Sequence, residues 1–252
     1  MKYRFEITRR DFRHLSSGRV LYHAPRMTAF PVRLASEIAQ RCFALLQQKG
    51  CQGPYIVYDP CCGGAYLLTV IGFLHRTSIG ELIGSDLDSQ ILEIARKNLS
   101  LLTPRGLLQR KEELSQYVQE YGKESHLEAL SSIEHLLKAV SNTPLSCTCF
   151  QHDITLVSSQ VPVRNANIVI TDLPYGNLVQ WQSQSEDPIR ALFDNIYQVL
   201  DLTCSVVAIV ADKKQHLQHK RFTRVQFLKI GKRQVALFEP VITGSPTVPS
   251  VG

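Results

Sequence analysis

The chain has 252 residues, 44% of them hydrophobic, which is ample for one large buried core and too apolar for a disordered protein. It has no run of about 18 apolar residues, and the first residues lack the apolar stretch of a secretory signal, so neither a membrane-spanning helix nor export is expected and the location is expected to be cytoplasmic. The net charge of +6 is uneven: residues 1–33 hold eight Lys/Arg against two acids, residues 213–233 hold eight and no acid, and residues 34–212 are net −7, a pattern that points to an anionic polymer, nucleic acid before membrane.

In chain order, apolar residues recur every three and four positions from Phe30 to Leu46, the period of an amphipathic helix that ends near Gly50. Residues 55–58 read as a short buried strand, followed by the turn Asp59-Pro-Cys-Cys-Gly-Gly and an apolar helix over 65–74. A second strand at 82–85 leads to a helix through Leu102 that Asp88 or Ser89 can cap. About 40 polar residues, 103–146, interrupt the alternation and read as an inserted helical pair. Strands follow at 147–151, 167–171 and 206–210, with a helix over 187–200 before the last, and a hairpin of 225–230 and 235–238 closes the order.

Strands separated by helices predict an α/β, doubly wound, mostly parallel sheet of seven strands, with a helical insertion and a basic N-terminal extension. Residues 1–50 are expected to form that extension and its helix, 51–240 the main domain, and 241–252 a loose tail. Seven cysteines with no two-residue gap predict reduced, mostly buried thiols and no metal, as in a reducing compartment.

In such sheets ligands bind beyond the carboxyl ends of the strands, so the chemistry is sought there. The first end carries Asp59, Cys62, Gly63, Gly64 and Ala65. Glycines let the backbone turn and a ligand approach, but a carboxylate repels a pyrophosphate, and the dinucleotide spacing G-x-G-x-x-G is absent. A cationic nucleoside without phosphate, S-adenosylmethionine, fits better. Asp86, at the tip of the second strand, is placed to accept both ribose hydroxyls; Asp88 reads first as a helix cap, and Asp153 is a candidate for the adenine amino group.

The most specific signal is Thr171-Asp172-Leu173-Pro174-Tyr175-Gly176, similar to the Asp/Asn-Pro-Pro-Tyr motif of methyltransferases acting on planar nitrogens. A delocalised lone pair is a poor nucleophile. Acceptors such as Asp172 and the carbonyl of Leu173 return electron density to it as it becomes cationic, with Pro174 and Tyr175 presenting and stacking the ring.

Together with the stretch from Phe30 through Arg33, the block Gly84-Ser-Asp-Leu-Asp and the block Ala95-Arg-Lys-Asn-Leu, these motifs resemble the avilamycin-resistance ribosomal RNA methyltransferase family from about Ser16 to Phe238. The resemblance implies transfer of a methyl group to a guanine of large-subunit ribosomal RNA, at N1, although Asp172 serves N2 equally well. It also implies that Asp59, Gly63, Gly64 and Asp86 line the cofactor site and that Phe30 and Arg33 lie near its methionine end. One departure is Ala65: the family's loop reads Gly-Ser-Gly, and here Gly63-Gly64-Ala65 puts a methyl group at the third position, which is expected to open the helix without a positive φ. The partner is then ribosomal RNA or the ribosome, bound by a monomer through Arg9, Arg10, Arg13 and Arg26 and through Lys213, Lys214, Lys220 and Arg221. The rivals are an amino-methyltransferase acting on DNA, transfer RNA or a protein amide, and a non-catalytic RNA-binding protein.

Overall fold

Strands β1 (Tyr55–Asp59), β2 (Ile79–Asp86), β3 (Ser146–Gln151), β4 (Ile168–Asp172) and β5 (Val206–Asp212) run parallel, and β6 (Phe222–Ile230) and β7 (Arg233–Pro240) form an antiparallel hairpin. They make one sheet in the order β3-β2-β1-β4-β5-β7-β6, with β7 antiparallel to β5 as well. The computed structural model describes residues 3–23, 29–140, 145–156, 161–173 and 186–242. Arg26, Pro174, Tyr175 and the tail from residue 243 lie outside them.

The central strands read as unbroken apolar runs because both of their faces are covered. Val206, Ala208 and Val210 enter one core while Val207, Ile209 and Ala211 enter the other. On the first face lie α1 (Val32–Gln48), α2 (Tyr66–Leu74) and α3 (Ser89–Ser100); on the second, α6 (Pro188–Val199) brings in Leu192, Phe193 and Ile196. The expected insertion is a helical pair, α4 (Pro104–Tyr121) and α5 (Glu124–Val140), with α4 capped by the Thr103 hydroxyl on the Gly106 amide. Among the described residues, no helix is long and apolar enough to cross a membrane.

The strand order reverses between β1 and β4, which opens a crevice at their carboxyl ends.

Two features depart from the sequence expectation. Cys51, just after α1, and Cys204, just before β5, are joined in a disulfide with Cα atoms 6.0 Å apart, so the expectation of reduced thiols is corrected at this pair. Cys42, Cys61, Cys62, Cys147 and Cys149 are free.

The second concerns the basic N-terminal segment, which is a docked strap. The backbone amides of Arg4, Phe5 and Glu6 all donate to the carboxylate of Glu37, at 2.8, 2.9 and 2.9 Å. Glu37 lies on α1 at 0% exposure and also accepts from Arg41 at 2.7 Å. Further along, Leu15, Val20 and Leu21 enter the same core as the sheet. Arg110 of α4 donates to the Val20 carbonyl, stacks over the Tyr22 ring and bonds Glu113, which also accepts the Tyr22 hydroxyl.

Candidate active site

Asp59, Asp86 and Asp172 are the last residues of β1, β2 and β4, three adjacent parallel strands, and Asp153 follows β3. The parallel register sets Asp59 beside Gly84, two residues before Asp86. The acids are close enough to be felt electrostatically. Asp59 is almost fully buried, and burial pushes its carboxyl up to about 7, with the charges of Asp86 and Asp172 adding to the rise; the Thr171 hydroxyl and the Cys61 amide oppose it. Burial also raises Asp86, against the amides of Asp88 and Gly63. Loss of solvent raises the partly buried Cys61 thiol well above its ordinary value, and the thiol senses Asp59, Asp86 and Asp153 together.

The glycine turn is held from three sides. The Cys62 amide donates to the Ser85 carbonyl at 2.9 Å, the Gly63 amide to Asp86 at 2.8 Å, and Asn98 of α3 donates to the Gly64 carbonyl at 2.8 Å. The same Asn98 pairs with both backbone groups of Tyr22, so the strap and the turn share one buried amide side chain. Gly63 sits at φ +51°, a region open to glycine at no steric cost. Cys62 turns its thiol onto Gly84, where any Cβ would fall 2.9 Å from the sulfur, so this thiol packs β2 against the turn.

Ala65 corrects an expectation. It adopts φ +55°, ψ +29°, so the residue precedes α2 in the left-handed region instead of simply opening the helix. The methyl group there costs on the order of 1 kcal/mol. Its amide donates to the Cys62 carbonyl and its carbonyl accepts from the amide and the hydroxyl of Thr69, which keep the strained conformation in place. Ala65→Gly is expected to lie within about 1 kcal/mol of the parent, because relief of strain offsets the lost methyl burial and the added chain entropy. Ala65→Val, β-branched at positive φ in a packed position, is expected to lose about 2–3 kcal/mol. Urea denaturation measures both, and a valine variant as stable as the parent would contradict the left-handed assignment.

The remaining sequence candidates divide. Asp88 caps α3 by accepting the Gln90 amide at 2.8 Å, and Asp153 accepts the amide and hydroxyl of Thr155 in a turn. Phe30 is buried under the Arg233 guanidinium, whereas Arg33 directs its own guanidinium to the carbonyls of Glu6 and Ile7 and over the Tyr3 ring, where it fastens the strap. Arg9 is exposed, while Arg10 pairs with Glu6 and Arg13 with Asp11. The second basic segment is split by the topology. Asp212, Arg233 and Ile230 align across β5, β7 and β6, so Lys213 and Lys214 share the edge of the sheet that carries the acids. Lys220 and Arg221 precede Phe222, which aligns with Pro240 at the opposite edge, and Arg221 pairs there with Asp194.

Sequence reasoning missed Thr171 as the hydroxyl beside Asp59 and Asn98 as the clamp on the turn. Asn98 stands in the block Ala95-Arg-Lys-Asn-Leu, but its role as a clamp is set by partners, Tyr22 and Gly64, that lie 76 and 34 residues away.

The family model for rRNA methyltransferase AviRa matches residues 1–233. The chain belongs to that family. It is 37% identical over 241 residues, 93% of this chain and 94% of the relative, to the 23S rRNA (guanine(2535)-N(1))-methyltransferase of Streptomyces viridochromogenes. Two solved structures of rRNA methyltransferase AviRa from that organism superpose with TM-scores of 0.83 and 0.82, at 36% and 37% identity, each covering 94% of this chain and 96% of the other. Membership in the AviRa family accounts for the mostly parallel sheet with one antiparallel hairpin, since that architecture is shared along nearly the whole chain.

Proposed function

We propose that the protein transfers a methyl group from S-adenosylmethionine to N1 of a guanine in 23S ribosomal RNA. The observation that carries the reading is the meeting of Asp59, Asp86 and Asp172 at adjacent strand tips beside a glycine turn, at the point where the strand order reverses. The residues fit the donor: a buried acid cluster repels phosphates but suits a cation, and the turn presents backbone with no bulky side chain. The sulfonium, when bound, supplies a methyl group with its own leaving group. Asp59 would face the methionine ammonium and Asp86 the ribose hydroxyls. Asp172 would accept the N1–H of guanine and hold that proton as the nitrogen–carbon bond forms, so that charge does not build up on the ring. Tyr175 and Pro174, by their place after Asp172, would stack and seat the base. A base inside a duplex does not reach such a crevice, so the target is looped out or flipped.

The test is incubation of purified protein with the methyl donor and 23S rRNA, followed by nucleoside mass spectrometry. Appearance of 1-methylguanosine supports the reading; 2-methylguanosine, or no methylation of a guanine, overturns it.

A pH dependence follows from Asp59. A carboxyl raised to about 7 in the folded chain favours the protonated native state, so its contribution to apo stability is present below about pH 4 and lost as pH rises through 7. Binding of a cation needs the ionised form. Affinity for S-adenosylmethionine is therefore expected to be about tenfold weaker at pH 6 than at pH 8 by titration calorimetry, and Asp59→Asn should flatten the profile. A parent profile that is already flat would remove Asp59 from the ammonium site.

A further inference from the structure

Strand β6 is the edge of the sheet, and its outward residues are unlike those of a solvated edge. Its register pairs Arg224 with Phe238, Phe227 with Ala236 and Lys229 with Gln234, which sets all three on the face that carries α6. The α6 core closes at Phe222, leaving Phe227 41% exposed. The Arg224 guanidinium lies 5.0 Å and the Lys229 ammonium 5.8 Å from the centre of the Phe227 ring. Cations alone have a ready explanation, since charged side chains on an edge strand block pairing with another sheet. An exposed phenylalanine works against that purpose and needs a different one.

We propose that this face of β6 is a second RNA-contact surface, on which an unpaired base stacks against Phe227 while Arg224 and Lys229 hold the adjoining phosphates. The inference rests on the proposed RNA substrate and adds residues outside the acid crevice. Charge complementarity selects the occupant: neither Arg224, Lys229 nor Lys232 forms an ion pair with an acid among the described residues. The row also leads somewhere. From Arg224 to the turn at Lys232 the strand climbs to the end of the sheet that carries the acids, with β7 and β5 between it and Asp172 on β4, and there the Lys213 amide donates to the Lys232 carbonyl at 2.9 Å. The span is roughly 27 Å at the rise of an extended strand, so RNA lying along it and across the two intervening strands delivers a nucleotide a few positions away to the crevice. A second copy of the chain suits the face less well, because two-fold pairing of β6 with itself brings like charges opposite one another.

The experiment uses the full chain and an unstructured twelve-nucleotide RNA carrying one 2-aminopurine. The parent should bind with quenching of the reporter. Phe227→Ala should bind about tenfold more weakly and lose the quenching, Phe227→Tyr should keep both, and Arg224→Ala/Lys229→Ala should reduce the salt slope by about 1.4. With 23S rRNA, Phe227→Ala should raise KM and leave kcat at saturation and the thermal midpoint unchanged. Affinity and quenching unchanged in Phe227→Ala overturn the proposal, as does a parent dimer that this variant converts to monomer. Methylation of 23S rRNA with no dependence on Phe227 would sink this surface alone. RNA binding through Phe227 without any guanine methylation would uphold the surface and sink the proposed reaction.

Discussion

Asp172→Ala is expected to lower turnover 10²–10³-fold while cofactor affinity stays within about threefold of the parent. The reason is positional. Asp172 ends β4, whereas the groups assigned to the donor, Asp59 and Asp86, end β1 and β2 and keep their own hydrogen bonds to the glycine turn and to the Cys61 amide. An acceptor that matters most as charge develops on the base contributes to the transition state and little to the bound donor, and loss of one such group typically costs about 10²–10³ in rate. The coupling among the acids sharpens the expectation. Asp172 helps to raise Asp59, so removing its charge lets Asp59 ionise more readily, and near neutral pH the variant should bind S-adenosylmethionine as well as the parent or slightly better. Asp172→Asn separates the two duties of the group: it retains an acceptor oxygen but takes up no proton. Single-turnover methylation of 23S rRNA together with calorimetry reads both quantities, and a parallel loss of binding and rate would place Asp172 in the cofactor site instead.

The central parallel strands were legible in the sequence because covering both faces leaves a short run of apolar residues, which its length and its flanking turn residues separate from the apolar helix α2. Each strand tip was legible for a related reason: an acid directly after such a run stands at the one edge where ligands bind. The conformation of Ala65 was hidden because alanine commonly opens helices, and its positive φ is imposed by bonds to Cys62 and Thr69 that no spacing announces. The basic segment 213–233 looked like one patch since charge counted along the chain carries no direction. The connection after β5 crosses to the far edge of the sheet, and β6 brings it back, so Lys213 and Lys220 end up at opposite edges. The strap was hidden most completely. Glu37 falls in a helix whose neighbours Ser36 and Gln40 are also polar, and its three amide partners lie 31 to 33 residues earlier.

That buried carboxylate is the site of the largest expected change in stability. Glu37→Ala removes the acceptor for three backbone amides and the partner of Arg41, itself nearly buried, and leaves donors and a cation without compensation. Loss of one member of a buried charged pair costs about 3–5 kcal/mol. In a domain of this size that is on the order of 10 °C in the thermal midpoint. The sign of the pH dependence is fixed as well. Burial alone would raise the Glu37 carboxyl, but the amides of Glu6, Arg4 and Phe5 and the Arg41 guanidinium outweigh it and hold the group below its ordinary value. A depressed folded value means the contribution is present above the unfolded value of about 4.3 and is lost as pH falls through the folded one. Glu37→Gln should therefore lose stability at pH 7 and show less of the parent's acid-side decline. Release of the strap has its own signature, because the backbone at the exposed Arg9 and Arg10 is then free to enter the trypsin cleft, and Tyr22 no longer braces Asn98 against the glycine turn. Faster cleavage at those arginines together with weaker cofactor binding is the expected pair of results. A Glu37→Ala protein that melts within about 2 °C of the parent and resists trypsin would mean that the strap is held by its apolar anchors Leu15, Val20 and Leu21 instead.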